Sequence, residues 1–170
     1  MDDSLVREFV LEDRAAAIPI SKLPYPHGLA KKAKYHFWKL VYPIYPTMRD
    51  TFVGLGVVSH EADDYTIGWI APGRALEDFL AYLYQQGFGN NFIAWVDKGE
   101  LIGLRRPDGF EYQYHLRIFK DGEVRGHYEN TPESYPIKHL AGHLVEEKRD
   151  DFLGFLGEWI VPVPPSARMC

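Results

Sequence analysis

The chain has 170 residues, 46% hydrophobic and 25% charged, which suits one globular domain and excludes a globally disordered one. Its net charge of −5 is too mild to name a partner, and its single cysteine, Cys170, excludes an internal disulfide and a thiolate zinc site. No run approaches the roughly 18 apolar residues of a membrane helix, and the acidic start MDDSLVREFV does not read as a signal peptide, so a cytoplasmic protein with no membrane partner is expected.

Residues 4–17 suit a short helix, and residues 18–26, with three prolines, an irregular connection. Residues 29–42 read as a helix stopped by Pro43 and Pro46. Its run Lys31-Lys-Ala-Lys-Tyr-His-Phe-Trp-Lys39 mixes bases with aromatics, as a nucleic-acid or protein-binding surface does. Trp38 and Phe37 also suit plain core anchors with lysines beside them. Between residues 26 and 50 five bases face one acid, a local charge of +4; between 51 and 100 seven acids face two bases, a local −5.

Residues 51–59 and 65–71 are expected as strands joined by the acidic turn Glu61-Ala-Asp-Asp64. The carboxylates near His60 suit a hard cation, but a polar loop is the ordinary reading. Gly54-Leu-Gly56 lacks the third glycine of a dinucleotide loop. Ala71-Pro-Gly-Arg74 opens a helix to about residue 86, with Leu76, Phe79, Leu80 and Leu83 at helical spacing.

Three turn signals follow: Asp97-Lys98-Gly99, Pro107-Asp108-Gly109 and Lys120-Asp121-Gly122. Each suits a three-residue hairpin loop with a left-handed glycine. They divide residues 91–130 into a four-stranded antiparallel meander, ended by Pro132 and Pro136. The last helix is expected over residues 137–160, burying Leu140, Leu144, Phe152, Phe155, Leu156 and Trp159, with a Pro-rich tail at 161–170. The fold class is α+β, one domain over residues 1–160: an antiparallel sheet of about six strands with helices packed on one face.

The loops imply a register. Around Lys120-Asp121-Gly122, Ile118 faces Val124, Leu116 faces Gly126 and Tyr114 faces Tyr128 on an apolar side. Arg117 faces Arg125 and His115 faces His127 on the other. Extending the rule gives one row of Trp95, Leu101, His115 and His127, a second of Ile93, Gly103, Gln113 and Glu129, and a third of Asn91, Arg105 and Glu111. Gly103 is expected to leave a gap there, suited to a ligand cleft.

This face supplies the candidate site. His115 and His127 are candidate catalytic acid and base. Arg117, Arg125, Trp95, Gln113 and Glu129 are candidate contacts to a small phosphate- or carboxylate-bearing ligand. Facing arginines repel by roughly 0.2–1 kcal/mol, which an anion, or one of the nearby carboxylates Glu111, Glu123 and Glu129, would offset. Polar-out alternation is the default for antiparallel sheets, so a solvated face with cross-strand salt bridges is the ordinary expectation. No cofactor is assigned and no metal is expected; His139 and His143, at i and i+4 with Glu146 or Glu147 nearby, fall on the polar stripe of the expected last helix. The runs HLRI and GHYE do not match the repeated H-x-T/S of two-histidine phosphoesterases, and no family is assigned. The alternative function is an interaction module binding RNA or protein through the helix at 29–42.

Overall fold

A computed structural model describes residues 23–41, 43–44, 47–48, 51, 55, 65–90, 99–135, 144–146 and 148–164, with only the backbone described for 144–146. Among the described residues three α-helices and seven strands follow in chain order: α1 (Leu29–Val41), β1 (Tyr65–Ile70), α2 (Leu76–Gln85), β2 (Gly89–Asn90), β3 (Glu100–Asp108), β4 (Tyr112–Phe119), β5 (Glu123–Asn130), β6 (Leu144–Glu146), α3 (Arg149–Leu156) and β7 (Ile160–Pro162). The strands form one sheet in the order β2-β3-β4-β5-β1-β7, and β6 also pairs with β5. Every pairing is antiparallel. The α+β expectation therefore holds. No helix among the described residues is long and apolar enough to cross a membrane.

Alternation along the strands separates two sides of the sheet. Ile102, Leu104, Tyr114, Leu116, Ile118, Val124 and Tyr128 share the apolar side and form one core with Phe79, Leu80 and Leu83 of α2 and Phe152 and Leu156 of α3. Tyr114 packs edge-on against Phe152 at 5.5 Å and Phe155 at 5.0 Å. Gly126 lets this layer close: a Cβ there would meet the His115 carbonyl oxygen at 2.9 Å and Phe152 Cε1 at 3.0 Å.

β4 and β5 pair as the turn chemistry predicts, Ile118 with Val124, Arg117 with Arg125 and His115 with His127. Gly122 takes φ +83°, and the Asp121 carboxylate accepts the Glu123 N–H at 3.0 Å. The Pro107-Asp108-Gly109 register needs correction. Asp108 pairs with Tyr112, so the three-residue loop is Gly109-Phe110-Glu111. Arg105, not Leu101, lies opposite His115; Arg117, not Gln113, lies opposite Gly103. A shift of four residues keeps every side chain on its own side of the sheet, so alternation cannot distinguish the two registers. At the next strand Gly89, not Asn91, pairs with Arg105.

The last helix is also shorter than expected. Residues 144–146 form a strand against Tyr128 and Glu129, and Lys148, at φ +43°, precedes a helix confined to Arg149–Leu156. The free half-edge of β5 competes successfully for Leu144, whose apolar spacing also suits a helix. Val161 and Pro162, expected in the tail, pair with Trp69 and Gly68 of β1. Of the expected strand at 51–59 only Thr51 and Leu55 are described, and the Leu55 N–H bonds to the Thr51 carbonyl at 3.0 Å, a helical connection. Residues 4–17, 60–64, 91–98 and 136–143 lie outside the described set.

Two buried hydroxyls on the apolar side give the fold an alkaline limit. Tyr114 donates to Asp151 at 2.7 Å and Tyr128 to Asp108 at 2.8 Å. Burial first, then the bond to a carboxylate, pushes both phenols above their ordinary value of 10.0. The unfolded chain loses these protons first, so their stabilisation is intact below pH 10 and disappears as pH rises through the folded values. Phenolate absorbance followed upward in pH should show at least these two of eleven tyrosines ionising late, together with unfolding. Simple titration of all eleven near their ordinary value, with the fold intact, would contradict the buried pairs.

Candidate functional site

The polar side of the sheet is built in rows. Pro107, Gln113 and Glu129 make one; Arg105, His115 and His127 the next; Gly103, Arg117, Arg125 and Thr66 the third. The ordinary expectation of a solvated face is overturned. Arg105 and Gln113 are 0% exposed, His115 and Arg117 3%, Glu129 4% and His127 6%. Arg125 alone of the candidate contacts in these rows remains partly open, with its side chain 34% exposed.

Glu129 is the centre of the arrangement. Its Oε1 accepts a hydrogen bond from Gln113 Nε2 at 2.6 Å and lies 3.4 Å from His115 Nδ1; its Oε2 lies 3.0 Å from His127 Nε2. The imidazoles stand edge to face with centroids 5.0 Å apart. One carboxylate thus lies within ionic reach of both rings. The chain of contacts continues outward: Arg105 Nη1 lies 3.4 Å from Gln113 Oε1 and donates to Glu133 Oε1 at 2.9 Å.

The facing arginines are separated electrostatically by carboxylates. Arg125 donates to Glu123 at 2.6 Å and stacks over the Phe119 ring at 4.3 Å. Arg117 Nε lies 3.9 Å from Glu100 Oε2. Of the carboxylates expected in this role, Glu111, Glu123 and Glu129, it is Glu123 that pairs with Arg125, and Glu100, which was not expected, lies beside Arg117. Burial tends to raise the Glu123 carboxyl, but its bonds from Arg125 and Thr66 outweigh burial and hold it below the usual range. Gly103 is not an open gap, because a Cβ there would sit 2.8 Å from Glu100 Oε1 and 3.6 Å from His115 Nε2. It is the space that admits the Glu100 carboxylate.

Of the predicted site residues, His115, His127, Gln113, Glu129, Arg117 and Arg125 occupy neighbouring positions, and Trp95 lies outside the described residues. His139, His143 and Glu147 also lie outside them. Sequence reasoning missed Arg105, Glu100 and Glu133 as members. Arg105 has the right parity but is assigned to the wrong row. Glu133 comes from the turn after β5, where Thr131 Oγ1 donates to the Phe110 carbonyl at 2.6 Å and the Ser134 N–H bonds back to the Thr131 carbonyl at 3.1 Å. No alternation pattern reaches such a turn residue.

The helix α1 carries the other candidate. Lys31 pairs with Glu111 at 2.7 Å, and Lys34 donates to the Ser134 carbonyl at 2.6 Å. Tyr35 and Trp38 are buried, whereas Phe37 and Leu40 are exposed.

Fold and site together define an α+β domain that encloses a histidine–carboxylate–arginine cluster on one side of an antiparallel sheet. In comparison with known proteins the chain matches no family model, no curated protein and no solved structure.

Proposed function

We propose that this protein binds a small phosphate- or carboxylate-bearing ligand at the polar side of its sheet, and that His115 and His127 exchange protons with it. The observation carrying this reading is the shared orientation of both imidazoles by Glu129, at 3.4 and 3.0 Å. Burying so many ionisable groups is costly compared with an apolar packing of the same volume, and such concentrations mark functional sites more often than scaffolding. For the anionic group, Arg125 offers a partly open guanidinium beside Arg117.

Inorganic phosphate is therefore expected to raise the melting temperature by preferential binding to the folded state, and Arg125→Gln to abolish the rise. Both proteins are compared at equal ionic strength, because excluded salts stabilise proteins generally. An equal rise in the two would remove the anion site. The alternative, RNA or protein binding through residues 29–42, has less support: burial of Tyr35 and Trp38 withdraws two rings from base stacking, and Lys31 and Lys34 are engaged within the fold.

A further inference from the structure

The geometry points to a divalent transition-metal site formed by His115, His127 and Glu129, of the kind that takes Zn2+ and accepts Co2+ in its place. One ligand atom from each residue falls in a group whose members all lie within 4.8 Å of one another. A tetrahedral ion with bonds of about 2.0–2.1 Å needs ligand atoms about 3.3 Å apart. The two oxygens of Glu129 divide between the rings, Oε1 lying 3.4 Å from His115 Nδ1 and Oε2 3.0 Å from His127 Nε2, so a small rotation of the carboxylate brings one oxygen toward that separation from both. Two imidazoles and a carboxylate match the ligand preference of Zn2+ and its first-row neighbours rather than of Mg2+ or Ca2+. Three protein ligands also leave a coordination position free for water or substrate.

Two further observations support a cation at this position. The first is the support behind the carboxylate. Gln113 holds Glu129 at 2.6 Å, and Arg105 connects Gln113 to Glu133, the kind of outer contact that fixes a metal-bound carboxylate. The second is charge. Among the described residues of the polar side, four buried carboxylates, Glu100, Glu123, Glu129 and Glu133, accompany three guanidiniums, those of Arg105, Arg117 and the partly open Arg125. Glu133 Oε2 is itself buried without a hydrogen-bond partner among the described residues. With neutral imidazoles the group carries an excess negative charge, which a bound dication offsets. The strand register explains the convergence: His115 and His127 face each other directly, and Glu129 lies two residues further along the same face of β5.

This inference concerns the same cluster as the proposed function, and a metal held there would occupy ring nitrogens that the acid–base reading uses, so the two are separated by a test that needs neither ligand nor turnover. The full chain, stripped of metal with a chelator, is titrated with Co2+ and then Zn2+. About one Co2+ per chain is expected, with visible ligand-field bands of a low-coordinate nitrogen–oxygen site that Zn2+ abolishes. Glu129→Gln and His127→Ala should weaken Co2+ binding at least 100-fold. Gln113→Ala should weaken it about 10–100-fold, as loss of an outer contact does.

Should the ligand variants fail to fold by circular dichroism, ring 15N shifts of the wild-type histidines decide the matter. Zn2+ must move the His115 and His127 resonances. Absence of ligand-field bands, unmoved His115 and His127 rings, or binding that survives in folded Glu129→Gln and His127→Ala would overturn the site. Co2+ binding without phosphate stabilisation retains the metal and removes the anion reading; phosphate stabilisation without Co2+ binding does the reverse.

Discussion

Arg105→Met is expected to destabilise the fold by about 3–5 kcal/mol, the cost of breaking a buried ion pair from one side. The Arg105 and Glu133 side chains are both fully buried, and their charges meet at 2.9 Å. Removing the guanidinium leaves the Glu133 carboxylate without its cation in a place water does not reach, while Met keeps much of the volume. Replacing both partners removes that penalty, so Arg105→Met combined with Glu133→Leu should recover most of the lost stability or exceed it. Urea unfolding of the wild type, the single variant and the double variant measures all three. A single variant within about 1 kcal/mol of wild type would mean that Arg105 is hydrated.

Phe152→Ala should cost a similar 3–5 kcal/mol, through a cavity instead of a charge. Phe152 is fully buried in the layer between sheet and helices. It touches the Tyr65 ring at 6.4 Å and the Tyr114 ring at 5.5 Å, centroid to centroid, and it closes over the position where Gly126 lacks a Cβ. The surrounding rings are held on strands and cannot collapse fully into the space. The urea midpoint should fall with little change in slope, as for loss of stability without loss of compactness. A shift of only a few tenths of a kcal/mol would place Phe152 outside the core.

The difference between what was legible in the sequence and what was not follows from symmetry. At Lys120-Asp121-Gly122 the loop chemistry itself picks the observed pairing, with Gly122 at φ +83°, and any odd shift would mix His115 and Arg117 into the row of Leu116 and Ile118. The histidine pair is therefore readable from residues alone. At Pro107-Asp108-Gly109 the loop falls two residues later than the turn signal, on Gly109-Phe110-Glu111, and alternation does not reveal the resulting even shift, which leaves both sides intact. The choice between the two registers involves contacts distant in sequence: Arg105 with Glu133, Tyr128 with Asp108, and Phe110 packed near Tyr35 at 6.2 Å. Leu144 illustrates a second limit. Its apolar spacing fits a helix, and only the half-vacant edge of β5 makes it a strand. Burial of the polar side was not legible either, because alternation reports which residues share a side and not what covers them.

The hairpin that carries the cluster also orders its assembly. His115 and His127 are joined by one tight turn, whereas β1 and β6 reach β5 from residues 65–70 and 144–146 and divide its other edge between them. Closing a short loop costs less chain entropy than closing a long one, and local contacts favour rapid formation. The topology thus favours a β4–β5 ribbon whose imidazoles, arginines and carboxylates find one another while still in water. Dehydration comes afterwards, as the distant segments dock. The ribbon's own charges, Arg117 and Arg125 with Glu123 and Glu129, balance before they enter the interior, and Glu100, Arg105 and Glu133 join them from β3 and from the turn after β5.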